Sequence, residues 1–598
     1  MFKPRLSLAL LLGLVFLAAC GQQQARDDTG TEASTEIYEE LEGKFAIATA
    51  NPHATKAGAD VLARGGTAVD AAIAVQAVLS LVEPQSSGLG GGAFMLHYDP
   101  ASGRTIAYDG RETAPLSATP DMFLNADGSP MNFYDAITGG RSVGVPGVVA
   151  MLTLAHEQHG TMPLAELLAP ARELAENGFE ISPRLNGLIV RMSEAGRLGQ
   201  MTGSQDYFFD EAGEPLPVGH VLKNPAYAQM LRTLSEQGPG AFYGGEIAQE
   251  IATTVDSIAG PGTLTVEDFF NYSPVERQPV CAPYRTKTIC SMGPPSSGGV
   301  TVLQILSLLE QTQFDQYAAE SPEGWHLLME ASRLAYADRN LYLADPAFMS
   351  IGDHGAGDIV DALLSPGYVA DRASLIQVDR SAVEVAPGDP FEDEAHLGLD
   401  ASPEPPSTSH FSIRDGQGRV VSMTTSVEAP FGSHIMAAGI ILNNQLTDFS
   451  FMPEQNGQPV ANAPLAGKRP RSSMSPVIIF NEDGSFYAAL GSPGGPAIIG
   501  YVAKTVVGML DWDMSMQEAI DLPNIVIPRG GVMVEEDRLD AERLAALAAF
   551  GLEPRETALT SGVYGVMVTA DGELVGGADK RREGNFVIGD VMAGDATQ

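Results

Sequence analysis

Apolar positions along this chain follow two rhythms. Short apolar runs alternate about glycine-centred turns: Ala93 to Tyr98 with Thr105 to Tyr108, His410 to Ile413 with Arg419 to Ser426, Val477 to Phe480 with Ser485 to Leu490, and Tyr564 to Thr569 with Glu573 to Val575. Each pair predicts a hairpin. Longer stretches carry a helical period: Pro163 to Asn177, Asn224 to Gln237, Gly245 to Ile258, Thr301 to Gln311, Pro322 to Tyr342, Met514 to Asp521 and Ala541 to Phe550. Ala54 to Val82 reads as helix, turn, helix, broken at Gly65-Gly66. No fixed-period repeat is present. Helices and hairpins are interspersed, so the expected class is α+β, with helical layers around antiparallel sheets. Asp379 to Pro406 is acidic and broken by proline, and reads as a loop open to cleavage. The run Gly88-Leu89-Gly90-Gly91-Gly92 is no phosphate loop, because it precedes a strand and lacks a Lys-Ser/Thr ending.

Composition narrows the function. The 598 residues suffice for a large core, and the 18% charged content is ordinary, but the net charge of −40 is not. Such a field repels phosphate backbones and argues against nucleic acid as a partner. Because the charge is spread along the chain, it reads as a solubility device. Residues 1–19 read as a signal peptide: Lys3 and Arg5 precede an apolar stretch, Leu6 to Ala19, too short to span a bilayer. Leu17-Ala18-Ala19-Cys20 resembles the bacterial lipoprotein box, which implies lipidation at Cys20, a lipidated tether over residues 20–35, and a membrane-anchored protein exported to the periplasmic side. The other reading is a plain secretory signal with an incidental cysteine. Cys281 and Cys290 bracket one or two short strands about a turn. They are either a disulfide, which an oxidising compartment favours, or two separate buried thiols.

Candidate chemistry centres on Thr408, in Ser407-Thr408-Ser409-His410 directly after the proline-broken stretch. Cleavage of the Ser407–Thr408 bond would set the Thr408 hydroxyl beside a free α-amine, a nucleophile with its own general base. His410 lies two residues on and shares a strand face with Thr408. A triad role for it is superfluous where the amine serves as base. Four further motifs lie at strand ends: Asp109-Gly110-Arg111-Glu112, Asn443-Asn444-Gln445-Leu446-Thr447-Asp448, Arg469-Pro470-Arg471-Ser472-Ser473-Met474-Ser475-Pro476 and Gly491-Ser492-Pro493-Gly494-Gly495. Each alone has an ordinary structural account, as a surface ion pair, a turn cap, polar loop filler or a tight turn. No Cys/His spacing of zinc type is present, and neither metal nor cofactor is expected.

Together these motifs, with Val82-Glu83-Pro84 and Pro294-Pro295-Ser296-Ser297-Gly298-Gly299, make the chain from Ala46 to about Arg581 resemble the γ-glutamyltransferases, or glutathione hydrolases. These are N-terminal-nucleophile hydrolases made as one proenzyme. The resemblance implies a four-layer αββα sandwich of two stacked antiparallel sheets. It implies a large subunit over residues 36–407 and a small subunit over 408–598, both in one structural domain. It implies that Thr408 is the nucleophile, that Gly494 and Gly495 supply the oxyanion hole, and that Ser426 supports the nucleophile. Arg111, Ser472 and Ser473 would grip the substrate α-carboxylate, while Gln445 and Asp448 would take the α-ammonium. The implied partners are small γ-glutamyl substrates, with water, amino acids or peptides as acceptors. Three positions depart from the family pattern: Glu428 stands where asparagine is frequent, Phe451 to Gly467 has no gate tyrosine, and Pro496-Ala497 follows the glycines. Glu428 would either strengthen ammonium binding or shift substrate preference. Competing readings are an acylase or poly-γ-glutamate depolymerase on the same fold, and a non-catalytic ligand-binding lipoprotein.

Overall fold

The computed structural model describes residues 41–592, apart from 196, 202, 259, 261, 392–395, 403–406 and 529–530. The signal segment 1–19, Cys20 and the tether 20–35 lie outside the described residues. The strands that build the two main sheets are β1 (Lys44–Thr49), β2 (Gly92–Asp99), β3 (Arg104–Gly110), β4 (Val275–Arg277), β5 (Val280–Tyr284), β6 (Lys287–Ser291), β7 (Ser409–Arg414), β8 (Val420–Ser426), β9 (Val477–Phe480), β10 (Phe486–Gly491), β11 (Tyr564–Val568), β12 (Leu574–Ala578) and β13 (Asn585–Asp590).

A seven-stranded sheet runs β13-β1-β7-β8-β2-β3-β4 and a six-stranded sheet runs β12-β11-β10-β9-β6-β5. Neighbours in both are antiparallel. All four hairpins expected from the apolar pattern form, within two or three residues of the expected bounds. The sheets stack face to face, with β7 and β8 against β10 and β11. Two hydroxyls stitch them together, Ser412 to the Tyr564 carbonyl at 3.0 Å and Ser422 to the Leu490 carbonyl at 3.2 Å. β7 and β8 are buried along their whole length, and their polar residues are satisfied inside, His410 by Thr424 and Ser412.

Helices close both outer faces. On the seven-stranded sheet lie α1 (Pro52–Ala63) and α2 (Ala68–Val82). Asn51 caps α1 ahead of Pro52, and a Thr67/Asp70 capping box starts α2, whose residues are all buried. On the six-stranded sheet lie α3 (Gly298–Glu310), α4 (Ile498–Leu510) and α5 (Met516–Asp521). The layers are therefore α, β, β, α, as the resemblance implied. β1 and β13 are not among the hairpins expected from the apolar pattern. Cys281 and Cys290 face each other as a direct pair across the β5–β6 hairpin and form a disulfide, with Cα atoms 4.1 Å apart.

Candidate active site

β7 begins at Ser409, so Thr408 stands at the mouth of the seven-stranded sheet, and β8 returns beside it to end at Ser426. Thr408 Oγ1 lies 3.0 Å from Ser426 Oγ, and Ser426 Oγ accepts the Glu428 backbone N–H at 2.9 Å. The glycine run explains how β8 is reached. A Cβ on Gly91 would stand 2.0 Å from the Ser426 carbonyl oxygen, so only glycine lets that loop touch the strand end. Thr408 has φ of +90°. For a β-branched residue this conformation costs on the order of 1–3 kcal/mol and persists only where the surroundings enforce it. The enforcing contacts are visible. Arg582 Nη1 donates to the Thr408 carbonyl at 2.9 Å, Ser407 Oγ donates to the Gln85 carbonyl at 2.8 Å, and Ser409 Oγ donates to Glu83 Oε2 at 2.8 Å.

Gly494 N–H donates to the Ser407 carbonyl at 3.0 Å. The carbonyl of the expected scissile bond is thus already polarised by the donor assigned to the oxyanion hole. Gly494 and Gly495 have φ of +135° and +57°, and a Cβ on Gly494 would come within 2.6 Å of Tyr501 Cε2. One turn later α4 starts at Ile498, so the positive end of a 13-residue helix is directed toward the same place. Ser407 and Thr408 are both buried. Their burial encloses the bond expected to be cut by the chain itself, just after the stretch read as an open loop.

The head-group site is a narrow cleft lined by Arg111, Thr408, Ser426, Glu428, Gln445, Asp448, Ser472 and Ser473, together with Met474, Gly495 and Ile498. Arg111 leaves the end of β3 fully buried. Its Nε donates to the Pro470 carbonyl at 3.0 Å, and its Nη2 donates to the Arg471 carbonyl at 2.8 Å and to Asp448 Oδ2 at 2.5 Å. Its Nη1 makes no hydrogen bond and lies 3.7 Å from Glu112 Oε2. Opposite, Gln445 Nε2 donates to Asp448 Oδ2 at 2.9 Å, which leaves Gln445 Oε1 without a donor. Glu428 Oε2 accepts from the Asn444 amide, and Glu428 Oε1 has no donor. One unmet donor and two unmet acceptors, all buried, therefore remain in one cleft. Buried polar groups are costly unless satisfied. A zwitterion supplies the complement, a carboxylate for Arg111 and an ammonium for Gln445 and Glu428.

Charge follows the same geometry. Burial first, then the neighbouring Asp448, pushes the Glu428 carboxyl well above the usual carboxylate range. Burial also lifts Glu112 to about 8, with Arg111 pulling the other way. An incoming ammonium would favour the ionised form of Glu428.

Of the catalytic and substrate-binding residues expected from sequence, all but Gly494 line this cleft, Glu428 among them, and Gly494 lies beside it on the Ser407 carbonyl. His410 is not in the cleft. Its Nδ1 pairs with Thr424 Oγ1 at 2.9 Å and its Nε2 with Ser412 Oγ at 3.0 Å, while burial lowers its pKa to about 3. It is a neutral core residue between the sheets. Sequence reasoning missed Ile498 and Arg582, and gave no role to Glu112 and Met474, which lie inside the motifs. Arg582, far along the chain from Thr408, carried no signal.

Comparison with known proteins places the chain in a family. The family model described as Gamma-glutamyltranspeptidase matches residues 54–588. A glutathione hydrolase proenzyme of Escherichia coli (strain K12) is 35% identical over 609 residues, covering 98% of this chain and 99% of the relative. One from Bacillus subtilis (strain 168) is 37% identical over 513 residues, covering 84% of each chain. Among solved structures, a cephalosporin acylase from Bacillus halodurans superposes with a TM-score of 0.79 at 26% identity, covering 91% of this chain and 96% of that one.

Proposed function

We infer that this chain, which belongs to the gamma-glutamyltranspeptidase family, is a self-processing enzyme that hydrolyses or transfers γ-glutamyl groups, with glutathione and related small molecules as donors. The observation that carries the reading is one cleft in which a strained threonine hydroxyl sits between an arginine donor and a set of carboxylate and amide acceptors.

In the precursor, Thr408 Oγ1 attacks the carbonyl carbon of Ser407, and its proton passes through Ser426. Gly494 N–H receives the charge that develops on the carbonyl oxygen. The carbon–nitrogen bond breaks, the nitrogen takes the proton, and an ester joins Ser407 to Thr408 Oγ1. Water hydrolyses that ester, leaving a carboxylate on Ser407 and an amine on Thr408. Release of the left-handed backbone at Thr408 favours this direction. In the mature enzyme the amine accepts the hydroxyl proton while Oγ1 attacks the substrate γ-carbonyl, with Gly494 and Gly495 facing the oxyanion. The leaving amine takes that proton, and water or an acceptor amine resolves the γ-glutamyl ester. Arg111, Ser472 and Ser473 hold the α-carboxylate, and Gln445, Asp448 and Glu428 hold the ammonium.

The acylase reading suits this cleft less well, because a glutaryl group has no ammonium to meet Glu428 and Gln445. The test is direct. Wild type yields two fragments, the smaller beginning Thr-Ser-His-Phe, and turns over γ-glutamyl-p-nitroanilide faster than the glutaryl analogue. Thr408→Ala stays whole and inactive. An intact, fully active wild-type chain refutes the reading. Membrane attachment on the periplasmic side through lipidated Cys20 is part of the same proposal and rests on Leu17-Ala18-Ala19-Cys20. Radiolabelled palmitate should enter wild type and be absent from Cys20→Ala; equal labelling would refute the anchor.

A further inference from the structure

Arg582 lies between β12 and β13 and is buried. Its Nη1 donates to the Thr408 carbonyl at 2.9 Å, and its Nε and Nη2 donate to the Thr560 carbonyl at 3.4 and 3.2 Å. Both acceptors are neutral. Among the described residues no carboxylate forms an ion pair with it, because the nearby anions face other partners. Glu83 Oε2 accepts the Ser409 hydroxyl, and Glu83 Oε1 lies 3.8 Å from Arg184 Nε. Glu583 Oε1 accepts the Arg184 N–H at 2.9 Å, and Asp579 pairs with Arg581 at 3.2 Å and accepts the Ser561 hydroxyl. Burial first, then the Arg184 cation, lowers the pKa of Arg582, but only to about 10, so it is charged at neutral pH. Gly562 makes room for it, since a Cβ there would stand 2.8 Å from Arg582 Cδ. Buried guanidinium groups are usually paired with a carboxylate. This one is taken up by two backbone carbonyls, and one of them belongs to the nucleophile.

We propose that Arg582 keeps the Thr408 α-amine, once cleavage frees it, unprotonated at neutral pH and so ready to take the hydroxyl proton. This rests on the function proposed above. Arg582 is a positioning residue that acts through Thr408 and touches no substrate. The cut falls on the N-terminal side of Thr408, and the contacts that place its carbonyl lie on the other side: Ser409 opens β7 opposite Thr425, and the Ser409 hydroxyl is held by Glu83. The amine and the carbonyl oxygen of one residue are about 3 Å apart, which sets the guanidinium about 5 to 6 Å from the amine. A like charge at that distance disfavours the ammonium. At an effective dielectric constant of about 20, the repulsion is enough to move a titration by about one pH unit or more. The other titratable groups around Thr408 do not cancel it. Glu83 is shared with Arg184, and burial raises its pKa. Burial keeps Tyr501 and Tyr564 neutral. On the cleft side Asp448 is paired with Arg111, and burial holds Glu428 well above the usual carboxylate range.

The experiment measures kcat on saturating γ-glutamyl-p-nitroanilide from pH 5 to pH 9 for wild type, Arg582→Gln and Arg582→Lys, with the cleaved fraction read from denaturing gels. Saturation keeps Glu428 against the bound ammonium in all three. Arg582→Gln retains an amide donor and loses the charge, whereas Arg582→Lys retains the charge. The acid limb of wild type should have its midpoint below about 7.7, the value of an ordinary terminal amine. In Arg582→Gln the limb should move up by about one pH unit or more, so that kcat per cleaved chain falls about 10-fold at pH 6 and nears wild type at pH 9. Arg582→Lys should keep the wild-type midpoint within about 0.3 pH units. A wild-type midpoint at or above about 7.7, an unmoved limb in Arg582→Gln, an equal fall in kcat at every pH, or a limb moved as far in Arg582→Lys as in Arg582→Gln would overturn the proposal. The midpoint is independent of how much of a variant has matured, so slow cleavage leaves the readout intact. If Arg582→Gln is not cleaved at all, the wild-type midpoint decides by the same criterion. Wild-type cleavage and turnover report separately on the function itself.

Discussion

Arg111→Lys isolates the carboxylate grip. The three hydrogen bonds of the Arg111 guanidinium are spent inside the protein, on Pro470, Arg471 and Asp448, and Nη1, which makes none, is left for a ligand. The planar fork makes this division possible. Nε and Nη2 fix the orientation while Nη1 projects into the cleft. A lysine ammonium replaces the fork with one point, and cannot serve the two carbonyls, Asp448 and a substrate carboxylate together. The expected loss is one charge-assisted hydrogen bond, about 1.5–3 kcal/mol, or about 10- to 150-fold in kcat/KM. Because the contact is made in ground state and transition state alike, the loss should fall mainly on KM. The assay is initial-rate kinetics on γ-glutamyl-p-nitroanilide with purified, processed protein, and a gel verifies that Arg111→Lys still splits into two fragments. A kcat/KM within about twofold of wild type would refute the assignment. So would a failure to process, which would place Arg111 in the cleavage machinery.

Gly494→Ala tests whether one amide serves both cleavage and turnover. The added methyl meets Tyr501 at 2.6 Å and a φ of +135°, so the expectation is an unprocessed, inactive chain; a variant that cleaves normally but does not turn over substrate would separate the two roles. Glu112→Gln tests the buried carboxyl behind Arg111. Its pKa, raised to about 8, means that the native state keeps a proton which the unfolded chain releases between about pH 4.5 and 8. Native stability therefore falls as pH rises through that window, by at most about 1.4 kcal/mol per unit. The melting temperature of wild type should drop more from pH 5 to pH 8 than that of Glu112→Gln. Parallel curves would refute the buried, protonated state.

Much of this enzyme was legible along the chain, for physical reasons that are local. Alternating apolar runs around Asp415-Gly416, Asp483-Gly484 and Asp571-Gly572 specify hairpins through turn geometry, and they formed where expected. The Thr408 motif and the short segments at 111, 445–448, 472–473 and 494–495 carry their chemistry in residue type. What sequence left open depends on packing between distant segments. α4 is apolar around most of its circumference, so it lacks the one-sided period that marks a surface helix, yet it starts beside the oxyanion donors. Burial of the Ser407–Thr408 bond is not legible from the proline-broken loop before it, because Gln85, Arg582 and Gly494 bind its backbone and side chain from three remote parts of the chain. Periodicity reports which side of an element is buried and is silent about what it is buried against. Only the tertiary structure brings Pro470, Arg471 and Asp448 around Arg111, and turns a list of motifs into a cleft with unmet hydrogen bonds of the right sign.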